Sequence, residues 1–208
     1  MLAQRPVHGR LLGDADPLIA MKTLRGMKRG GLKSRRADRQ SRDGSTAVEF
    51  AMIAFPFFFM LFAIMEIALL FITDSVLENA VIETGRIIRT GEADSSGLTA
   101  AQFKTSLCSR MSIFSADCPS RATVDVRVIT QFRNTNPPDP LANGSSFDTS
   151  GLTYLPGQPG SLMLIRVWYK QPLITPFMAQ ALSKLNDGTT ILMATATFRN
   201  EPYTPATP

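Results

Sequence analysis

The sequence predicts an α+β protein: a long N-terminal transmembrane helix continuing as a stalk, then a small exported domain with a short, mainly antiparallel sheet and one or two helices. Three observations carry that expectation. Residues 50–72, FAMIAFPFFFMLFAIMEIALLFI, contain a single ionisable side chain, Glu66. Basic residues crowd in front of this run, where residues 1–43 hold 11 of the chain's 22 Lys and Arg against four acids, Asp14, Asp16, Asp38 and Asp43. Behind it lie short alternating or apolar segments of strand length. The implied organisation is a basic cytoplasmic leader (1–44), a transmembrane helix (45–72), and an exported stalk and domain (73–208).

The charge distribution already narrows function. The leader carries +7 and the remainder −2, so the net charge of +5 resides in the first fifth of the chain. A uniformly basic surface for nucleic acid is therefore not expected. His8 is the only histidine and lies in the leader. Two cysteines cannot complete a tetrahedral metal site without other ligands, so neither metal nor cofactor is expected.

As a helix, the apolar run covers roughly 35 Å, enough for a hydrocarbon core of about 30 Å with some tilt. Fourteen of its residues are Phe, Ile or Leu, summing to roughly −6 kcal/mol on an insertion scale where a mid-bilayer carboxylate costs about 3. Glu66, seventeenth of the 23, is displaced from the centre. A buried helix of this length in a soluble protein would show a polar stripe, and none is present. Nine Lys or Arg between Lys22 and Arg42 precede the run, whereas Asp74, Glu78 and Glu83 are the first charges after it. This asymmetry predicts a cytoplasmic N-terminus and an exported C-terminal domain. The run is too long for a secretory signal and is followed by TDSVLENA, which offers no good cleavage site. Arg35-Arg36 is followed by Ala37 and Asp38, a poor twin-arginine context.

The boundary between leader and run reads Gly44-Ser45-Thr46-Ala47-Val48-Glu49-Phe50. Glycine resists helix formation where the helix is expected to begin, and it leaves an extended backbone unobstructed for a protease cleft. Glu49 has two readings. An acid in a first helical turn is favoured by the helix dipole. The pattern G-x-x-x-x-E-[FY] resembles the cleavage site of type IV prepilins and pseudopilins, which implies cutting between Gly44 and Ser45 by a prepilin peptidase. The other reading of Glu49, in which the freed Ser45 amine of one subunit pairs with Glu49 of its neighbour, is what the same resemblance to type IV pilins implies. The strings DGSTAVEFAMIAFPFFFMLFAIMEIALLFI, LENAVIETGRIIRTGEA and TATFRNEPY together resemble TadE-like proteins of tight-adherence (Flp) pilus systems. The similarity extends over roughly residues 44–203 and is sparse between Arg121 and Gly188. It implies residence in a bacterial inner membrane, with the prepilin peptidase, pilin and other pseudopilin subunits, and an inner-membrane assembly platform as partners beside the lipid bilayer. A glutamate in the second half of the span, here Glu66, is also similar to that family. The leader is longer than the family's usual one, leaving Met21 and Met27 as alternative starts.

Past the span, residues 73–90 place Leu77, Val81, Thr84 and Ile88 at helical spacing, with Gly91 as the stop. A continuous helix from about Ser45 to Thr90 is expected, kinked at Pro56. Its stripe is expected to pack on the chain's own domain. Residues 99–111 read as a second helix with Ala100, Phe103, Leu107 and Met111 on one side and Ser96 or Thr99 at the cap. Cys108 and Cys118, an even pair at short range in an oxidising compartment, read as a disulfide. Residues 122–132, 162–169 and 189–198 read as strands, the first alternating Val124, Val126 and Val128 against Asp125 and Arg127. Residues 134–160, rich in Pro, Gly, Asn and Ser, read as a long surface loop available to partners. Asn143-Gly144-Ser145 matches a glycosylation triplet without a bacterial context for it. Residues 173–185 read as an amphipathic helix through Phe177, Ala181 and Leu185, lying on the sheet rather than the membrane because Lys184 is its only basic residue.

Two functional classes follow. The first is a non-enzymatic pseudopilin or pilus-assembly component, clipped after Gly44 and acting by lateral packing of its apolar helix. In it Glu66 is either a polar handle for helix association or a protonated acid without a partner. The second is an uncleaved single-pass scaffold of the envelope or a secretion apparatus. A membrane-tethered enzyme is disfavoured, since the exported part lacks histidine, a G-x-S-x-G motif and a phosphate loop.

Overall fold

A computed structural model describes residues 30–133, 136–142, 144 and 146–204, with side chains described from residue 44 onward. The leader up to residue 29, with Met21 and Met27, and both Asn143 and Ser145 of the triplet lie outside the described residues. Helix α1 runs from Gly30 to Arg89. It thus starts well before the expected Ser45, because Leu, Lys, Arg, Gln and Ala, all good helix formers, make up eight of the 15 residues 30–44. Two units make up the chain, Met1–Phe58 and Phe59–Pro208. All described residues of the first belong to α1; the second holds the rest of α1 and everything that follows.

α1 ends where Gly91 takes φ 79°, a left-handed conformation that a side chain disfavours. A β-carbon there would also collide with the Tyr203 ring. Short helix α2 (Glu92–Ser95) leads to α3 (Ala100–Ser109), whose start is set by a capping box. The Thr99 hydroxyl accepts from the Gln102 N–H at 3.3 Å, while the Thr99 N–H donates to the Gln102 side chain at 2.8 Å. Of the expected α3 face, Phe103, Leu107 and Met111 are buried, whereas Ala100 is exposed. A 3-10 turn (Ser112–Phe114) and α4 (Cys118–Arg121) follow, and Cys108 and Cys118 form a disulfide with their Cα atoms 5.4 Å apart. This bond ties α3 to the entry of β1. Replacing both cysteines by serine is expected to lower stability by about 2–3 kcal/mol for so short a loop. Urea titration of the detergent-solubilised full chain measures it; an unchanged midpoint would contradict the expectation.

Strands β1 (Ala122–Ile129), β2 (Leu162–Pro172) and β3 (Thr189–Arg199) form one antiparallel sheet in the order β1-β2-β3. Ala122 pairs with Tyr169 and Ile129 with Leu162 in the first ladder; Leu162 pairs with Arg199 and Pro172 with Thr189 in the second. The first face receives the α1 stripe. Leu77, Val81, Thr84 and Ile88 are all buried, with Phe103, Leu107 and Met111 beside them, against Val126, Met163, Ile165, Val167 and Tyr169. Gly85 permits the close approach, since a β-carbon there would meet the Phe198 ring at 3.2 Å and Ile165 at 3.3 Å.

The second face departs from the sequence reading. The alternation in β1 sets Asp125 on the polar face, opposite Val124, Val126 and Val128, yet Asp125 is fully buried there. The 134–160 loop is the reason: Leu141, Phe147 and Leu152 pack onto Trp168, Leu185 and Ile191, so this stretch covers the sheet. Residue 153 of the loop accepts the Val126 N–H at 2.8 Å and residue 155 donates to the Val126 carbonyl at 2.8 Å, extending the β1 edge. β2 therefore has both faces covered, which accounts for its continuous apolar run. The expected helix at 173–185 is shorter, α5 (Pro176–Leu182). Leu185 falls outside it and is buried in the second cluster, whereas Phe177 is exposed.

Candidate functional site

Two places along α1 carry the residues singled out from sequence. At the first, Gly44 lies inside the helix rather than ahead of it, and a β-carbon there would meet nothing within 4 Å. Packing does not require glycine at this position, and alanine would favour the helix by about 1 kcal/mol. Ser45, Glu49 and Phe50 are exposed. The Ser45 hydroxyl donates to the Glu49 carboxylate at 3.4 Å across one helical turn. In the intact chain Glu49 is not in the first turn of α1, so the dipole reading of that acid applies only to a helix that begins at Ser45.

From there the helix surface is apolar and uncovered. Met52 is 73% exposed and Phe55 78%, with Phe50, Ile53, Phe57, Met60, Ile64 and Met65 similarly open. Gly44–Arg89 is the single helix among the described residues long and apolar enough to cross a membrane. An uncovered apolar surface of this extent is what a lipid-facing helix presents and a water-facing one avoids.

The second place is Glu66, and here sequence reasoning had offered an intermolecular handle or an acid without a partner. The structure supplies partners within the chain. The Ile174 N–H donates to one Glu66 carboxylate oxygen at 2.5 Å, and the Thr175 N–H lies 3.3 and 3.2 Å from the two oxygens. Glu66 is only 7% exposed. These N–H groups stand immediately before α5 and have no helical acceptor of their own, so the carboxylate satisfies groups that would otherwise be unpaired. The Phe177 ring meets the Phe59 ring edge-on, 4.7 Å between centroids. No local pattern links position 66 to position 174; the only signal available was that an acid in an apolar run needs a partner somewhere.

The sequence also missed a charged cluster on the second face of the sheet. Asp125 and Arg166 are cross-strand partners in register. Arg166 donates to Asp125 at 2.7 and 3.1 Å, and Arg127 donates at 2.6 and 2.9 Å. The Thr153 N–H adds a further bond at 2.9 Å. Arg166 also reaches the Pro138 carbonyl and Arg127 the Gly151 carbonyl, at 2.9 and 3.0 Å. Burial alone would raise the Asp125 carboxyl, but the bonds from Arg127, Thr153 and Arg166 and the charge of Arg127 outweigh it and hold the group below the usual carboxylate range. The cluster pins the long loop to the sheet. Arg166 inside an apolar strand was the available signal, because an isolated buried charge is rarely tolerated.

Comparison with curated proteins gives no match, and comparison with solved structures gives none either. A family model does match: residues 44–86 correspond to the family described as TadE-like protein, about a fifth of the chain. The matched segment begins at Gly44, includes the uncovered apolar surface and Glu66, and ends within the stripe that packs on the sheet. Residues 44–86 of this chain are a TadE-like family domain, carried on one long apolar helix.

Proposed function

We propose that the protein is a non-enzymatic, membrane-anchored component of a tight-adherence (Flp) pilus assembly system. It sits in the inner membrane with its N-terminus in the cytoplasm and is clipped between Gly44 and Ser45 by a prepilin peptidase. Its uncovered helix packs laterally with pilin, pseudopilin or assembly-platform helices. The observation that carries the reading is the coincidence of the TadE-like match with the exposed apolar surface from residue 44 onward. Gly44 adds support, because the fold leaves room for a side chain there. A glycine that packing does not need and that weakens the helix fits a segment that must unwind in a protease. After cutting, the Ser45 amine and Glu49 would stand at the start of the helix, where an amine and a carboxylate from adjacent subunits offset each other's charge in an apolar bundle.

The test is the N-terminus of the membrane-extracted protein. STAVEF is expected for the wild type when a prepilin peptidase is co-expressed. In Gly44→Ala the uncut chain should persist in the membrane, since alanine favours the helix without hindering insertion. An intact start on the wild-type protein would defeat the processing claim and leave the uncleaved envelope scaffold, a reading favoured by the unbroken course of α1 through Gly44.

A further inference from the structure

The segment before and within α5 sits beside the part of α1 expected in the membrane. Its backbone is bonded to Glu66 and its Phe177 ring rests on Phe59. Seven residues of helix separate those two contact points, about 10 Å of rise. Both lie inside the apolar run 50–72, short of its outward end. Residues 171–183, QPLITPFMAQALS, carry no charge. Two of their apolar side chains are largely exposed, Ile174 at 76% and Phe177 at 61%, the latter with only one edge of its ring against Phe59. A largely apolar groove of about 480 Å³ shares Met178 and Leu182 with this segment and is lined also by Ile67, Leu70, Phe71 and Met193, with Asp74 its one ionisable residue.

We propose that residues 173–182 form a wedge seated in the bilayer that α1 crosses, reaching from its outer leaflet to its middle, with Ile174 and Phe177 against the acyl chains. The inference rests on reading residues 50–72 as a membrane span with its C-terminal end outward. Lipid is the occupant because this surface lies beside the span at the depth of residues 59–66, where Met60, Ile64 and Met65 are themselves uncovered. The Glu66 bonds meet a requirement that water would not impose. At that depth backbone N–H groups need an internal acceptor, and the two entering amides have one. The lack of basic residues, which argued from sequence against a membrane position, loses its weight once the wedge is attached to a transmembrane helix. Electrostatic attraction to headgroups is needed only by helices that must find the membrane unaided.

The two native cysteines are joined, so an introduced cysteine is the only free thiol. Full-length Ile174→Cys and Phe177→Cys proteins, each carrying a nitroxide, are reconstituted in phosphatidylethanolamine and phosphatidylglycerol vesicles. Relaxation by oxygen is compared with relaxation by a water-soluble nickel chelate. Met60→Cys marks the span and Ile113→Cys the aqueous domain, both being open positions at 64% and 80% exposed. The expected oxygen-to-nickel ratio at 174 and 177 is several-fold above that at 113 and approaches that at 60. Ratios at 174 and 177 equal to that at 113, with 60 still lipid-like, would overturn the wedge while leaving the span intact. Labels at 174 and 177 shielded from both reagents would place a protein surface there, a second copy or a partner helix, and would also overturn it. An aqueous reading at 60 would remove the span, and the wedge with it.

Discussion

Replacing Asp125 by alanine is expected to lower the unfolding free energy by about 3–5 kcal/mol, the usual consequence of leaving a buried partner charge uncompensated. Arg166 would be that charge. Its side chain is 8% exposed, in the central strand, and it would keep only the Pro138 carbonyl and the face of Trp168, 4.7 Å from its guanidinium carbon. The loop would lose its anchor at the same time, because the Thr153 N–H and both arginines meet at this carboxylate. Trp168 is the chain's one tryptophan, so urea titration of the solubilised full-length protein by fluorescence reports the second face directly. A loss under about 1 kcal/mol would show that the cluster is solvated and contributes as a surface pair does.

The same group sets a pH dependence whose sign is determined. Its folded-state pKa is depressed, so its contribution is fully present above the unfolded value of about 4 and is lost as the pH falls through the folded one. Wild-type stability should therefore drop on acidification below about pH 4, and Asp125→Asn should flatten that drop. Part of the slope will persist in the variant. Asp148, held low by bonds from the Ser150 backbone and hydroxyl, and Asp187, held low by the Thr189 hydroxyl and backbone, titrate in the same window. Identical acid profiles for wild type and Asn variant would exclude Asp125 as a contributor.

Glu66→Ala is expected to release residues 173–183 while leaving the sheet intact. The alanine variant leaves two N–H groups without an acceptor, at about 1–3 kcal/mol for each donor left unsatisfied. Loss of about 3 kcal/mol corresponds to roughly a 10²-fold rise in amide exchange across this segment. Exchange mass spectrometry of the full chain in lipid nanodiscs measures it, with β2 as internal reference. Glu66→Gln keeps one acceptor oxygen and should fall between the two. Exchange at 173–183 that is unaltered in the alanine variant would mean the carboxylate does not hold this segment, returning Glu66 to a role between subunits or to none.

Local chemistry was enough for much of this molecule. A 23-residue apolar run declares itself because its partner is a solvent rather than a particular residue. The buried stripe Leu77, Val81, Thr84 and Ile88, the Thr99 cap, the Gly91 stop and the three strands follow from spacing and backbone preference alone, each within one or two turns of chain. Gly44 and Glu49 stood out as a motif, though the extension of the helix ahead of Ser45 did not, since good helix formers in the leader carry α1 past the glycine. What tertiary structure alone decided are the pairings of polar groups distant in sequence. The burial of Asp125 was not legible, because period-2 alternation separates the two faces of β1 but cannot register a loop folded over the second. Glu66 read as a handle between subunits or an acid without a partner because its partners are backbone amides more than 100 residues away, and any residue type offers an amide. Burying a charge is unfavourable wherever it happens, so Glu66 and Arg166, each inside an apolar run, announced that partners were needed. Which groups answered depended on the return path of the chain, and no local periodicity encodes that path.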